Sequence, residues 1–533
     1  MPMAIFFAER LHGWRFGLLN IVLAVGHMTV LFNAGAYISL MPHVAGDLGG
    51  VKPSFGTWAQ TDFMIALALG FPLSRWLSGK YGAYRVWVAA FILYAFASYL
   101  CAISKTLLLF LPARILLGFV GGITLPVGQN LLLDEYPEHL KLLGLGFWGL
   151  IGIMPFTVSF SIGGLIADEM GWRYLFYLNI PIAIIVAAII GSLLAGRRYD
   201  RSDSRFDFIG FVLLAIILGG IQTILNQGND FDWLDSTFLS VVTALVIIAL
   251  SLFVVWELGE RHPALDISLF TNRNFAIGVI CSSVGFLLIQ GILSLLIVQL
   301  QVLLGYSSYL ASMVFFPTVL LAVPVTIALH SLSVRVDVRL LASLNFLGFA
   351  GIWYWIGLFD DPGSFDQIFW PMLLLGFFLG SFFVPLTRLT VHGFSATKEQ
   401  RSAEEAGLLR IVAGAFGITL QGVLLFRRAP FHQLHLADNF GGRRFASLDL
   451  LNEFSTRLKA DGLAPEVVND QLALIIKQQA AILAMSDAFL LTSYFFVGLA
   501  GLIWFARPVY LHPYRKDSKE IEAVRAEQLM EEP

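Results

Sequence analysis

The chain has 533 residues, of which 57% are hydrophobic and 13% charged, with a formal net charge of −3. Its mean hydropathy is +0.76. A soluble domain carries close to a quarter charged residues, so this composition excludes an ordinary soluble protein and places the chain in a membrane. The net charge says nothing about partners, because in a membrane protein it is the placement of charge that matters.

Arg10 and Arg15 precede the first apolar run, 18–41. Ala34-Gly35-Ala36 resembles a signal-peptidase site, but the run is too long for a signal segment and is read as an uncleaved first span. Further segments of about 20 mainly apolar residues, enough to cross a bilayer, follow near 57–77, 86–104, 107–132, 142–167, 174–195, 207–227, 236–257, 275–303, 308–331, 340–359, 368–391, 404–427 and 487–507. The expectation is an all-α membrane protein with fourteen transmembrane helices. Cys101 and Cys281 lie inside apolar stretches and offer no disulfide framework or metal-ligand spacing.

Orientation follows from basic residues in short loops. With the N-terminus inside, thirteen Lys and Arg, from Lys80 and Arg85 to Lys398 and Arg401, fall in cytoplasmic loops, against Lys52, Lys105 and Arg173 outside. Both termini are therefore expected in the cytoplasm. Residues 428–486 read as a polar external loop that ends in a helical stretch starting at Pro465-Glu466. The charged tail 508–533 reads as frayed cytoplasmic helix.

Several strings carry a family resemblance. Between spans two and three, Leu73-Ser74-Arg75-Trp76-Leu77-Ser78-Gly79-Lys80-Tyr81-Gly82-Ala83-Tyr84-Arg85 resembles the basic cytoplasmic loop motif of the major facilitator superfamily. Gly82 permits a tight turn, and Lys80 and Arg85 sit near helix ends at the cytoplasmic face. Pro112-Ala113-Arg114-Ile115-Leu116-Leu117-Gly118 looks like the family's fourth-helix motif. Gly163-Gly164 and then Gly171-Trp172-Arg173-Tyr174-Leu175-Phe176-Tyr177-Leu178-Asn179-Ile180-Pro181 follow. Asp266-Ile267-Ser268-Leu269-Phe270, Pro385-Leu386-Thr387 and Phe505-Ala506-Arg507-Pro508 are similar to strings of the EmrB/QacA drug:proton antiporters, and the pattern most resembles EmrB-type multidrug export pumps. The resemblance covers essentially the whole chain. It implies a cytoplasmic segment 1–17, a six-helix half over 18–195, two inserted helices within 196–274, a second half over 275–507, and the tail 508–533. It also implies alternating access around a site near the bilayer midplane, in a bacterial inner membrane, with a periplasmic adaptor and an outer-membrane channel as partners.

The departures from the family bear on mechanism. EmrB-like pumps have an acidic residue in the first span, nine positions before a Pro; here Asn33 stands nine positions before Pro42. Asn cannot titrate. The family's fifth-helix Gly-Pro is Ser159-Phe160 here. Asp62, by its place in the second span, lies roughly 8 Å below the outer end, and Arg114 about 10 Å below it. A carboxylate in hydrocarbon is costly unless it pairs or faces water. Asp62 is therefore a candidate for proton coupling, with Arg114 holding its pKa and Asn33 adding a hydrogen bond. The alternatives are an Asp62–Arg114 ion pair that packs the half-bundle, or a helix-start residue in the headgroups. His27 is the other titratable group deep in the first half, with either a role or a carbonyl partner.

In the second half, Gln290 and Gln301 are eleven residues apart and share a helical face that lines a polar cavity or glues helices; Asn345 is ambiguous in the same way. Glu404 and Glu405 form an inter-half latch or complement a helix start. Arg410 matches the Arg of a family Arg-x-x-Ala-Gly-like string and is a candidate for conformational exchange, with Lys80, Gly82, Arg85, Gly163 and Gly164. The helical stretch before span fourteen has Val467, Val468, Leu472, Ile475, Ile476 and Leu483 on one face, which docks an adaptor or lies on the transporter's own surface.

Three function classes remain: proton-driven efflux of hydrophobic or amphipathic compounds, an uncoupled facilitator or dedicated exporter or flippase of one metabolite or lipid, and a non-transporting sensor or scaffold. No Ser-His-Asp, metal-ligating or phosphate-cradling constellation points to an enzyme. No cofactor, metal or nucleic acid is expected; the expected partners are small hydrophobic substrates, protons and membrane lipid.

Overall fold

A computed structural model describes residues 11–49, 53–137, 140–197, 205–331, 336–359, 365–440, 456 and 465–511. Among the described residues fifteen α-helices carry the fold: α1 (Trp14–Asp47), α2 (Pro53–Tyr81), α3 (Ala83–Ile103), α4 (Leu107–Glu135), α5 (Lys141–Glu169), α6 (Arg173–Leu193), α7 (Phe208–Gln227), α8 (Thr237–Gly259), α9 (Arg273–Val298), α10 (Ser308–Met313), α11 (Phe316–Ser331), α12 (Val338–Gly357), α13 (Phe365–Val391), α14 (Ala396–Phe440) and α15 (Pro465–Leu502). In hydrocarbon every backbone N–H and C=O must be satisfied within its own segment, which leaves these apolar runs helix as their only solution. Proline is tolerated inside them, as at Pro42, Pro112, Pro126 and Pro155. Among the described residues, twelve helices are long and apolar enough to cross a membrane, with α10 and α11 counted as one. α2 and α5, of 29 residues each, run through the same bundle.

The helix pairings repeat along the chain. In the first set α1 packs on α5, α2 on α4 and α3 on α6; in the second α9 packs on α14, α11 on α13 and α12 on α15. Glycines in matching places make one of these pairings possible. A Cβ on Gly118 or Gly122 of α4 would meet the carbonyls of Phe63 and Leu67 on α2, and one on Gly376 or Gly380 of α13 would meet those of Thr318 and Ala322 on α11. Backbones this close need small residues, as in membrane helix packing generally. α7 and α8 pair with each other, and α7 also touches α2 and α14.

Two expectations need correction. The first part of 428–486 is helix and not loop, because α14 continues to Phe440; the helical stretch expected from Pro465 is the start of α15, so both helices run on past their apolar spans. Arg428 and His432 of α14 hold Asp487 of α15 at this level, with Arg428 Nε and His432 Nε2 each 2.7 Å from Oδ2. Residues between these helices other than 456, the tail beyond 511 and residues 1–10 lie outside the described residues, as do the side chains of Val467, Val468 and Leu472. Second, the stretch 308–331 is two helices, broken at Val314-Phe315, and α9 ends in a π turn over Gln299–Leu303. The fold is all-α as expected; among the described residues the one extended pairing is a two-residue bridge, Val336–Asp337 antiparallel to Tyr510–Leu511.

Candidate functional site

Among the described residues, the most deeply buried charge is Arg114, on α4 and fully shielded from solvent. Its Nη1 donates to Asn33 Oδ1 of α1, its Nη2 to Gln60 Oε1 of α2 at 2.9 Å, and its Nε to the Ala59 carbonyl at 3.4 Å. Gln60 in turn donates from Nε2 to the Ala34 carbonyl at 2.7 Å. The guanidinium lies over the rings of Tyr37 at 4.1 Å, Phe63 at 4.3 Å and Phe176 at 5.6 Å. An isolated buried cation is costly, and here amide oxygens and aromatic faces compensate it without any carboxylate. The cluster ties α1, α2, α4 and α6 together.

Asp62 is not part of this cluster. α2 begins at Pro53, so Asp62 lies nine residues in, about 14 Å along the helix rather than 8. Gln60 and Phe63 turn toward Arg114, whereas Asp62, two residues from Gln60, points about 200° away around the helix. Its half-buried carboxylate accepts a hydrogen bond from Trp58. The Asp62–Arg114 pair is absent, and Asn33 spends its acceptor on Arg114. His27 is buried on α1 with its ring 4.1 Å from that of Trp148 on α5, and its Nδ1 has no partner.

The two helix sets meet along a seam with distinct contacts at each end. At the end marked by Asp47 and Arg173, Gln301 Nε2 donates to the Ser39 carbonyl at 3.1 Å, Ser161 Oγ to the Ser312 carbonyl at 3.1 Å, and Tyr309 N to Asp168 Oδ2 at 2.8 Å. Gly163 and Gly164 explain how α5 fits there. A Cβ on Gly163 would strike Ala36 of α1, and one on Gly164 would strike Ser308 and Ser312 of α10. One glycine serves the helix's own set and its neighbour serves the other.

Part-way along the seam, α7 contributes a polar cluster. Asn226 Nδ2 donates to Thr61 Oγ1 of α2 at 3.1 Å, while Thr419 Oγ1 of α14 donates to Asn226 Oδ1 at 3.2 Å and accepts from Gln222 Nε2 at 2.7 Å. At the opposite end, Arg75 of α2 grips Glu404 of α14 through Nε at 3.0 Å and Nη2, and Gln400 Nε2 donates to Asn130 at 2.8 Å. The two adjacent acids thus divide the readings between them. Glu404 joins the sets, while Glu405 accepts from Arg401 at 3.0 Å and from the Asp266 amide at 2.9 Å, both in its own region.

Gln290 and Gln301 do not act together. The π turn after Val298 changes the helical register between them, and Gln301 reaches across the seam while Gln290 is buried without a hydrogen bond. Asn345 is interhelical glue: its Nδ2 donates to the Phe378 carbonyl and to Ser381 Oγ, each at 2.6 Å. Arg410 lies half-buried on α14 with its guanidinium 4.9 Å from the Phe383 ring. Gly82, at φ +91°, makes the turn between α2 and α3. Lys80 Nζ lies 4.7 Å from the Trp76 ring, and Arg85 Nε donates to Tyr84 at 3.1 Å. Sequence reasoning missed Gln60, Thr61, Gln222, Asn226 and Thr419; their one signal is that each is polar within an apolar span.

Two sets of helices with the same internal pairings, joined by a polar seam, define a membrane transporter. A family model described as the Major Facilitator Superfamily matches residues 23–422, and the chain belongs to that family. It is 30% identical over 495 residues to the multidrug export protein EmrB of Haemophilus influenzae, covering 92% of this chain and 96% of that one. It is 29% identical to EmrB of Escherichia coli over 509 residues, covering 94% and 97%. The fatty acid resistance protein FarB of Neisseria gonorrhoeae is 31% identical over 492 residues, covering 92% and 96%. A crystal structure of the peptide transporter POT aligns with a TM-score of 0.56 at 13% identity, over 95% of this chain and 98% of that one, which speaks for the fold alone.

Proposed function

We propose that the protein exports hydrophobic or amphipathic small molecules across a bacterial inner membrane by proton-driven alternating access. The observation that carries this reading is the similarity to multidrug export proteins along nearly their whole length. The seam supplies the moving parts. The Gln301–Ser39, Ser161–Ser312 and Tyr309–Asp168 contacts close the outer end, and Arg75–Glu404 and Gln400–Asn130 span the cytoplasmic end. Both termini are cytoplasmic in this reading, the halves are 18–195 and 275–507, and the protruding ends of α14 and α15 meet a periplasmic adaptor that leads to an outer-membrane channel. Exposed Phe431, Leu434, Leu474 and Ile475 on those ends suit such a contact. Uptake of a fluorescent amphiphile into inside-out vesicles, energised by a pH gradient, tests the reading; no uptake above vesicles without the protein rejects it.

A second reading has a specific observation behind it. Arg114 is compensated by the amide oxygens of Asn33 and Gln60, the Ala59 carbonyl and aromatic faces, with no carboxylate to carry a proton in that cluster. An uncoupled facilitator or dedicated exporter of one metabolite or lipid fits that arrangement. Substrate movement without accompanying proton movement in proteoliposomes selects it.

A further inference from the structure

Around Arg114 the first helix set buries hydrogen-bond donors that no acceptor among the described residues takes up. Asn33 Oδ1 accepts from Arg114 Nη1, which fixes the amide and leaves Asn33 Nδ2 beside the guanidinium without a partner. The hydroxyls of Tyr37, Tyr94 and Ser98 have no partner either, and all four residues are wholly buried. Asn33 and Tyr37 are four residues apart on α1, and Tyr94 and Ser98 four apart on α3, so each pair shares one face of its helix.

Helix packing turns those faces toward Arg114. The Tyr37 ring lies 4.1 Å from its guanidinium carbon. Gly121 follows Arg114 by seven residues on the same face of α4. A Cβ there would stand 3.4 Å from the Tyr94 ring of α3 and 2.9 Å from Val30 of α1, so the missing side chain lets both helices close over α4. Among the described residues, the ionisable groups within electrostatic reach of the guanidinium are the phenols of Tyr37 and Tyr94 and the Cys101 thiol; none is a carboxylate. The oxygens of Asn33, Gln60 and Ala59 satisfy N–H groups of Arg114, but they are neutral and leave its full charge in place. A cation in hydrocarbon without a counter-ion is costly, and so is each buried donor without an acceptor. Flipping the Asn33 amide removes neither cost, because it would set Nδ2 against the guanidinium. Water satisfies the donors and leaves the charge. One small anion answers both.

We infer that Asn33, Tyr37 and Tyr94 form, with Arg114, a site for a small inorganic anion of halide size, with Ser98 at its edge. The guanidinium supplies the opposite charge, and Asn33 Nδ2 and the two phenol O–H groups donate charge-assisted hydrogen bonds to the ion. All of these residues lie inside the first helix set, away from the contacts that join it to the second. The ion is therefore a resident of that set and not cargo passing between the two, and its binding does not depend on the export reading above.

Chloride is the probe. The full-length protein is purified in an uncharged detergent with sodium gluconate, and sodium chloride replaces the gluconate stepwise at constant sodium while thermal unfolding is followed. The melting temperature is expected to rise by about 2 °C at saturation, as for a ligand bound by the folded state alone, and bromide to act as chloride does. Asn33→Asp sets a carboxylate against Arg114 and abolishes the chloride response. Tyr37→Phe and Tyr94→Phe each remove one donor to the ion and raise the half-saturating chloride about tenfold. A wild-type melting temperature that is the same in gluconate and in chloride overturns the inference and leaves the donors to water. A full chloride response in folded Asn33→Asp, or an unshifted midpoint in both phenylalanine variants, places the ion elsewhere and overturns it too. None of these readings involves transport, so failure of the export reading leaves them standing.

Discussion

Asn33 accepts a hydrogen bond from the guanidinium of Arg114, at the position where the resemblance to drug:proton antiporters implies a carboxylate. The charge of Arg114 is thus held by neutral oxygens and ring faces, not by an ion pair. Removing one of those oxygens leaves a buried cation short of a partner. Asn33→Ala and Gln60→Ala should each lower stability by about 1–3 kcal/mol, read as a lower melting temperature in detergent. Asn33→Asp should preserve the fold, because the carboxylate offers the same acceptor with a compensating charge. A melting temperature of Asn33→Ala equal to wild type contradicts the cluster's structural role.

Asp62 lies on another face of α2 and makes no contact with Arg114. Asp62→Asn should therefore leave thermal stability within about 1 kcal/mol of wild type, as substitutions away from charge networks do. Its effect on coupling is separable from its effect on folding. If the carboxylate carries the coupled proton, the substituted protein in proteoliposomes stops moving protons with substrate while retaining binding. Unchanged proton movement assigns Asp62 a packing role.

The α7 cluster bridges both helix sets through Asn226, Thr61 and Thr419. Thr419→Val removes both the donor and the acceptor and leaves Gln222 and Asn226 unsatisfied, at a cost of about 1–2 kcal/mol. A double-mutant cycle with Asn226→Ala should show coupling above about 0.5 kcal/mol, since the two share one network. Strict additivity contradicts the bridge.

The Arg75–Glu404 pair has side chains 42% and 11% exposed. Solvent screens such a pair, so Glu404→Gln should change stability by no more than about 1 kcal/mol. The larger effect is on conformation. Spin labels across this end of the seam should show a greater share of long distances in Glu404→Gln than in wild type, and an unchanged distance distribution argues against a latch.

How much was legible in the sequence depended on the residue type. The apolar runs marked the twelve helices that, among the described residues, are long and apolar enough to span, because hydrocarbon leaves the backbone no alternative. Arg114 stands out by its charge within an apolar span, and it is buried in the bundle. Gln60 carries no charge to mark it, unlike Asp62 two residues later, and only helical geometry separates the faces they occupy. The π turn at Gln299–Leu303 has no composition signal, so Gln290 and Gln301 seemed aligned by spacing alone. The protruding end of α14 is polar and reads as loop, although a helix outside hydrocarbon needs no apolar run, whereas Pro465 at a first helical turn marked the start of α15. The inter-set contacts of Gly164 and Asn226 depend on residues more than a hundred positions away, beyond any local pattern.

Export driven by proton exchange is open to one direct measurement. Purified protein is reconstituted in liposomes with a pH-sensitive dye inside, and an amphipathic substrate is added across an imposed pH gradient. Substrate is expected to accumulate while protons move in the opposite direction, both in step and both abolished by a protonophore. Substrate that merely equilibrates, with no proton movement, contradicts it and leaves an uncoupled carrier.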